Sequence, residues 1–158
     1  MFSGTLGIVH TLTAILALIF GTVVLLNKKG TAFHKKIGYA YVGSMVLVNG
    51  TAFGLYNLFG GFGLFHVLAL ISFITLIMGM IPAWLRKHIK HWYIIHLKVM
   101  GWSVVGLYAA LAAEISTRFV PREYFMMTVV VSSLAIIASG GYWIYKVKRQ
   151  EEQKLTTK

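Results

Sequence analysis

Residues 5–26 read TLGIVHTLTAILALIFGTVVLL, and residues 27–36 read NKKGTAFHKK. The first stretch has the roughly 20 apolar residues that a helix needs to cross a bilayer core. The second is a short basic loop. Together they predict a membrane helix that enters from one side, turns at a cluster of lysines and hands over to a second helix. His10 is the one ionisable side chain inside the first stretch, and a histidine placed there is costly to insert.

The pattern repeats outward from this segment. Apolar stretches run approximately over 5–26, 37–59, 62–85, 94–116 and 123–146, which predicts an all-α integral membrane protein with five transmembrane helices. Short connections favour an up-and-down bundle. Spans one to four form its four-helix core. Span five carries Ser132, Ser133, Gly140 and Gly141 but no histidine, so it flanks that core or forms a homodimer contact. Residues 1–149 read as a single membrane domain and residues 150–158 as a frayed polar cytoplasmic tail.

Composition agrees. The chain has 158 residues, of which 58% are hydrophobic and 12% charged, and its mean hydropathy is +0.75. A soluble domain of this length needs far more polar surface. The net charge of +11 encodes topology rather than nucleic-acid binding, because no recognition motif accompanies it. Of the 15 Lys and Arg residues, only Arg118 and Arg122 fall on the far side of the bundle. The rest lie in the loops after spans one and three, just inside span four, and in the tail. By the positive-inside rule the N-terminus is outside and the C-terminus inside. The basic loops also suit anionic lipid. The first residues carry no Lys or Arg, unlike the basic start of a cleavable signal peptide. The absence of cysteine excludes disulfides, thiolate metal sites and iron–sulfur clusters.

The histidines carry the chemistry. His10 and His66 each sit about one turn inside a span that enters from outside, after a glycine: Gly7-x-x-His10 and Gly63-x-x-His66. His34 and His96 each open a span that enters from the cytoplasm. In an up-and-down bundle spans one and three are diagonal partners, as are two and four. Each histidine pair therefore faces across the core at equal depth, and the two tiers lie roughly 20 Å apart along the helices. Bundle cores build cofactor sites in this way. Two facing histidines suit a six-coordinate haem iron. The predicted site is two b-type haems, with His10 and His66 on the outer iron and His34 and His96 on the inner. Electrons would cross the membrane between a quinol or cytoplasmic reductant and an outer acceptor, with a quinone or a redox protein as partner.

Span one places Ser3, Gly7, His10, Ala14, Ala17 and Gly21 on one stripe, small enough to admit a neighbouring helix or a flat macrocycle. Phe65 and Phe73 are candidate macrocycle-lining rings. Glu114 is the single acid of the predicted core, and Arg118 follows one turn later. They read as an i,i+4 pair. Alternatively Arg118 takes a haem propionate, or Glu114 joins His10 and His66 as a third ligand for zinc or copper in a metal-binding or transport protein. A structural or assembly protein without cofactor, its histidines only joining helices, is the remaining alternative. His88 and His91 lie in a basic loop and read as solvated. Asn49, Thr51, Ser72, Thr75 and Ser103 read as interhelical hydrogen-bonding groups rather than catalysts.

Two resemblances extend this reading. The run Lys29-Gly30-Thr31-Ala32-Phe33-His34-Lys35-Lys36-Ile37-Gly38-Tyr39-Ala40-Tyr41-Val42, with Met45 after it, resembles a family of bacterial membrane proteins known as domain of unknown function twenty-three oh six. Phe65-His66, His96 with Met100 and Ser103, and Arg118 fit its later blocks. The resemblance implies a multi-pass protein of the bacterial cytoplasmic membrane and no established activity. The spacing of the histidine pairs is also similar to that of ascorbate-reducible, two-haem transmembrane cytochromes b. That likeness implies one haem near each membrane face. The chain departs from it in having five spans rather than six and no ascorbate-site motif.

Overall fold

The computed structural model describes residues 4–55 and 61–156. Ser3, the expected end of span two up to residue 59, Gly60 of the following turn and the last two tail residues lie outside them. Five α-helices account for most of the described chain: α1 Gly4–Leu26, α2 Ala32–Ala52, α3 Leu64–Trp84, α4 Trp92–Phe119 and α5 Arg122–Thr156. No strand occurs among the described residues. The chain divides into two compact units, Met1–Leu76 and Ile77–Lys158.

In the first unit α1 packs against α2 as an antiparallel hairpin. A Cβ on Gly54 would lie 2.5 Å from Leu6, and one on Gly38 would lie 3.8 Å from Val24. The start of one helix therefore meets the end of the other. The buried face of α1 is Gly7, Thr13, Ala17 and Gly21. This is the predicted small-residue stripe, with Thr13 in the place given to Ala14. Lys29 ends α1 by giving its ammonium to the carbonyls of Val24, Leu25 and Asn27, which satisfies oxygens left open by the last turn.

α2 starts five residues before the expected boundary. Thr31 is its N-cap, and the hydroxyl accepts the N–H of His34 at 3.1 Å. The capping threonine makes Lys35 and Lys36 part of the helix, which hydropathy alone excludes. Among the described residues four helices are long and apolar enough to cross a membrane: Gly4–Leu26, Phe65–Trp84, Trp92–Ser116 and Arg122–Lys154. α2 falls short of that criterion, in contrast to the expected five spans, because it carries two lysines, Asn49 and several small or hydroxylated residues. Its most buried side chains, Tyr41 and Met45, face inward with Asn49 and Ser44.

In the second unit the end of α3 lies against the start of α4, and α4 packs antiparallel to α5. Gly79 and Gly140 make these approaches possible. A Cβ on Gly79 would lie 2.5 Å from Met100 Sδ, and one on Gly140 would fall on Val105. His91 turns the chain into α4 with a left-handed φ of 59°. His88 and His91 are both exposed, as expected. α5 corrects the frayed tail: it stays helical to Thr156. At 1.5 Å per residue it is about 50 Å long, well beyond a core of about 30 Å. Tyr93 donates its hydroxyl to Glu151 at 2.6 Å, and Lys154 pairs with the same carboxylate at 2.6 Å. The tyrosine contact ties the extension to the first turn of α4, and the lysine holds the carboxylate within α5.

Candidate functional site

The hydrogen bonds around the histidines decide which ring nitrogen carries the proton. In α1, His10 Nδ1 lies 2.9 Å from Thr51 Oγ1 in α2. Thr51 has one hydroxyl proton, and that proton is given to the backbone carbonyls of Leu47 at 2.7 Å and Val48 at 3.0 Å. The oxygen facing His10 is therefore an acceptor, and His10 donates from Nδ1. Nε2 then holds the lone pair. Thr51 is thus an interhelical hydrogen-bonding group, as the sequence suggests, with a histidine as its partner.

His96 has the same arrangement in the second unit. Its Nδ1 lies 2.7 Å from the carbonyl oxygen of Gly79, which can only accept. Nδ1 carries the proton, and Nε2 is the electron-pair donor. The absence of a side chain on Gly79 lets α4 come close enough for this bond, because Met100 and Val99 occupy the space that a Cβ would take.

His66 differs. It is 3% exposed and sits in the first turn of α3, where its Nδ1 accepts the Gly63 N–H at 3.1 Å. In the neutral ring Nε2 then carries the proton. The ring stacks on Phe62 with centroids 4.9 Å apart and lies tilted to Phe53 at 6.3 Å. These two phenylalanines, which the sequence does not single out, are rings set against a histidine. No periodicity signals them, since both lie in the connection between α2 and α3. Thr51 and Phe53 are two residues apart, so the end of α2 touches both His10 and His66.

His34 occupies the first turn of α2 and is half-buried. It lies in the first unit and His96 in the second. Glu114 and Arg118 form the i,i+4 ion pair, with Nη2 and Oε1 2.6 Å apart and both side chains about half exposed. Among the described residues no three His, Asp or Glu side chains gather in metal-binding fashion.

An all-helical chain with several membrane-crossing helices and histidines fixed at their ends defines a multi-pass membrane protein. Its family follows from comparison with known proteins. The family model described as "Predicted membrane protein (DUF2306)" matches residues 7–148, and the chain belongs to that family. The match includes all four of these histidines. No curated protein and no solved structure matches the chain.

Proposed function

We propose that this protein is a b-type haem electron carrier of the bacterial cytoplasmic membrane. In this reading His10 and His66 ligate an outer haem iron and His34 and His96 an inner one. The observation that carries it is the proton placement on His10 and His96. Metal-bound histidines characteristically donate their second ring N–H to a carbonyl or another oxygen, which fixes the ring and raises its basicity. Thr51 and Gly79 supply that oxygen here. His66 fits the group after a change of tautomer, in which its Nδ1 gives up the Gly63 N–H. Phe53 and Phe62 beside it suit a flat apolar macrocycle. When bound, haem iron accepts and releases one electron. The protein supplies the ligands, their orientation and an apolar surround that disfavours water.

The proposed topology has five crossings, with the N-terminus outside and the C-terminus inside. α2 is included because it runs back along α1 from Gly38 beside Val24 to Gly54 beside Leu6. Ser44 and Asn49 turn inward, and the exposed Lys35 and Lys36 lie in its first turns, at the end that would meet the cytoplasmic surface. Reporter fusions after Gly61 and after Lys158 should read outside and inside. A cytoplasmic Gly61 refutes the topology.

The cofactor is tested by pyridine haemochrome assay on protein from cells supplied with haem. Two haems per chain are expected. His10→Ala or His66→Ala should remove one and spare most of the other, and His34→Ala or His96→Ala should do the reverse. Colourless protein overturns the haem reading, and stoichiometric zinc or copper in that protein would replace it with the metal-site alternative.

A further inference from the structure

The connection between α3 and α4 gathers charge that the chain itself does not answer. Residues 86–91 read RKHIKH. Arg86, Lys87, His88, Lys90 and His91 are all exposed, and Ile89 alone turns partly inward. Backbone bonds close the segment into a compact turn: His88 and Ile89 donate to the Leu85 carbonyl at 2.8 and 3.1 Å, and Trp92 to that of Ile89 at 3.3 Å. The chain has four acids. Glu114 is engaged by Arg118, Glu151 by Tyr93 and Lys154, and Glu152 by Lys148. Glu123 opens α5, which runs antiparallel to α4, so it lies at the far end of this unit. Among the described residues no carboxylate pairs with Arg86, Lys87 or Lys90.

The ends of the turn fix its depth. Trp84 closes one membrane-crossing helix and Trp92 opens the next. The short connection between them cannot leave the bilayer surface, and tryptophans at such ends sit at headgroup level. Trp84 is 57% and Leu85 50% exposed, which sets an apolar surface beside the charges. At that depth the available counter-charge is a lipid phosphate. A guanidinium matches phosphate with two parallel bonds, and ammonium groups add point charges. Membrane orientation asks only for positive charge in this connection. It does not ask for that charge on a closed turn beside an exposed tryptophan. The α1–α2 connection shows the difference: there Lys29 is spent on the carbonyls that end α1, and Lys35 and Lys36 lie within α2.

We propose that the Arg86–His91 turn binds the phosphate of an anionic phospholipid, with Trp84 and Leu85 against its glycerol and upper chains. The bound lipid braces the α3–α4 junction, which also holds the His96 bond to Gly79. The binding requires neither haem nor a particular orientation of the chain in the membrane.

The test reconstitutes the full chain in phosphatidylcholine vesicles containing phosphatidylglycerol with brominated chains, which quench nearby tryptophan. One basic residue at a membrane surface is worth about a fivefold preference for an anionic lipid, so wild type should prefer phosphatidylglycerol by at least about fivefold. The triple variant Arg86→Gln, Lys87→Gln, Lys90→Gln should show no preference, whereas Lys28→Gln, Lys35→Gln, Lys36→Gln should keep that of wild type. Equal quenching by both lipids in wild type, or a preference that survives the first triple variant, overturns the proposal. Equal loss in both triple variants also overturns it, by assigning the effect to overall charge. Loss of the preference on adding excess inorganic phosphate overturns the lipid assignment in favour of free phosphate. Should the first triple variant fail to insert, a photoactivatable phosphatidylglycerol on wild type decides the matter. Its adducts should map to residues 84–92, and adducts confined to residues 26–36 overturn the proposal.

Discussion

Replacing Gly140 by alanine adds a single methyl where α5 crosses α4, and the structure fixes what it meets. The new Cβ would fall on one Val105 methyl and lie 2.8 Å from the other. Carbon atoms prefer separations of about 3.5–4.0 Å, so something must move by about 1 Å. Val105 is 7% exposed and branched at Cβ, so it has little rotamer freedom with which to yield. The helices must separate instead. Overpacking of this kind costs about 1–3 kcal/mol. Alanine returns about 0.8–1 kcal/mol through helix propensity. The net expectation for Gly140→Ala is a loss of about 0–2 kcal/mol. Val105→Ala removes both opposing methyls, so the double variant should be about 1–2 kcal/mol more stable than the two single effects predict. Denaturant unfolding in detergent, followed by tryptophan fluorescence, measures all four corners of the cycle. Trp102 is well placed to report, since a Cβ on Gly141 would lie 3.1 Å from its ring. A Gly140→Ala protein at least as stable as wild type, with strictly additive effects, would refute the close-packing argument.

Thr51→Val keeps the shape of the side chain but removes the acceptor of His10 Nδ1–H; it should cost about 1–3 kcal/mol in the same unfolding assay, and Thr51→Ser should retain most of the stability. Tyr93→Phe releases Glu151, so limited trypsinolysis after Lys148 and Arg149 should accelerate; an unchanged cleavage rate would mean that α5 is held without this contact. Arg118→Leu breaks an exposed pair and should cost no more than about 1 kcal/mol. Because Glu114 already offsets the Arg118 charge, redox titration of haem-loaded protein should give unchanged midpoint potentials, and a lowered outer potential would return Arg118 to the haem edge.

The helices are legible in the sequence because the hydrocarbon core demands long apolar runs, and α1, α3 and α4 follow those runs closely. α2 and α5 depart for local reasons that hydropathy does not register. A capping threonine draws two lysines into α2. A tyrosine and a lysine on one carboxylate hold the α5 extension, whose charged composition alone suggests fraying. At the candidate site the residue types and the depth of His10 and His66 could be read directly. Proton placement could not, because it depends on which atom faces Nδ1: a hydroxyl already spent for His10, a carbonyl for His96 and a backbone N–H for His66. Phe53 and Phe62 were hidden because connections carry no period. Thr75 shows the limit of assigning polar residues by type. It was expected to join helices, but its hydroxyl bonds to Ile71 of its own helix.

Thr75 is one of many. Thr13, Thr22, Ser44, Ser116 and Ser132 likewise close onto carbonyls about one turn behind them. Each helix can therefore leave the insertion machinery with these hydroxyls already satisfied. His10 and His96 cannot, since the acceptors of their N–H groups belong to other helices. His96 emerges after Gly79 and finds its acceptor waiting. His10 emerges first, and Thr51 lies 41 residues behind it. At about 5–20 residues per second, that leaves the His10 ring without its acceptor for roughly 2–8 s during synthesis. The first hairpin is thus the vulnerable stage in the birth of this protein, when a membrane chaperone or a quality-control protease has its best opportunity to intervene.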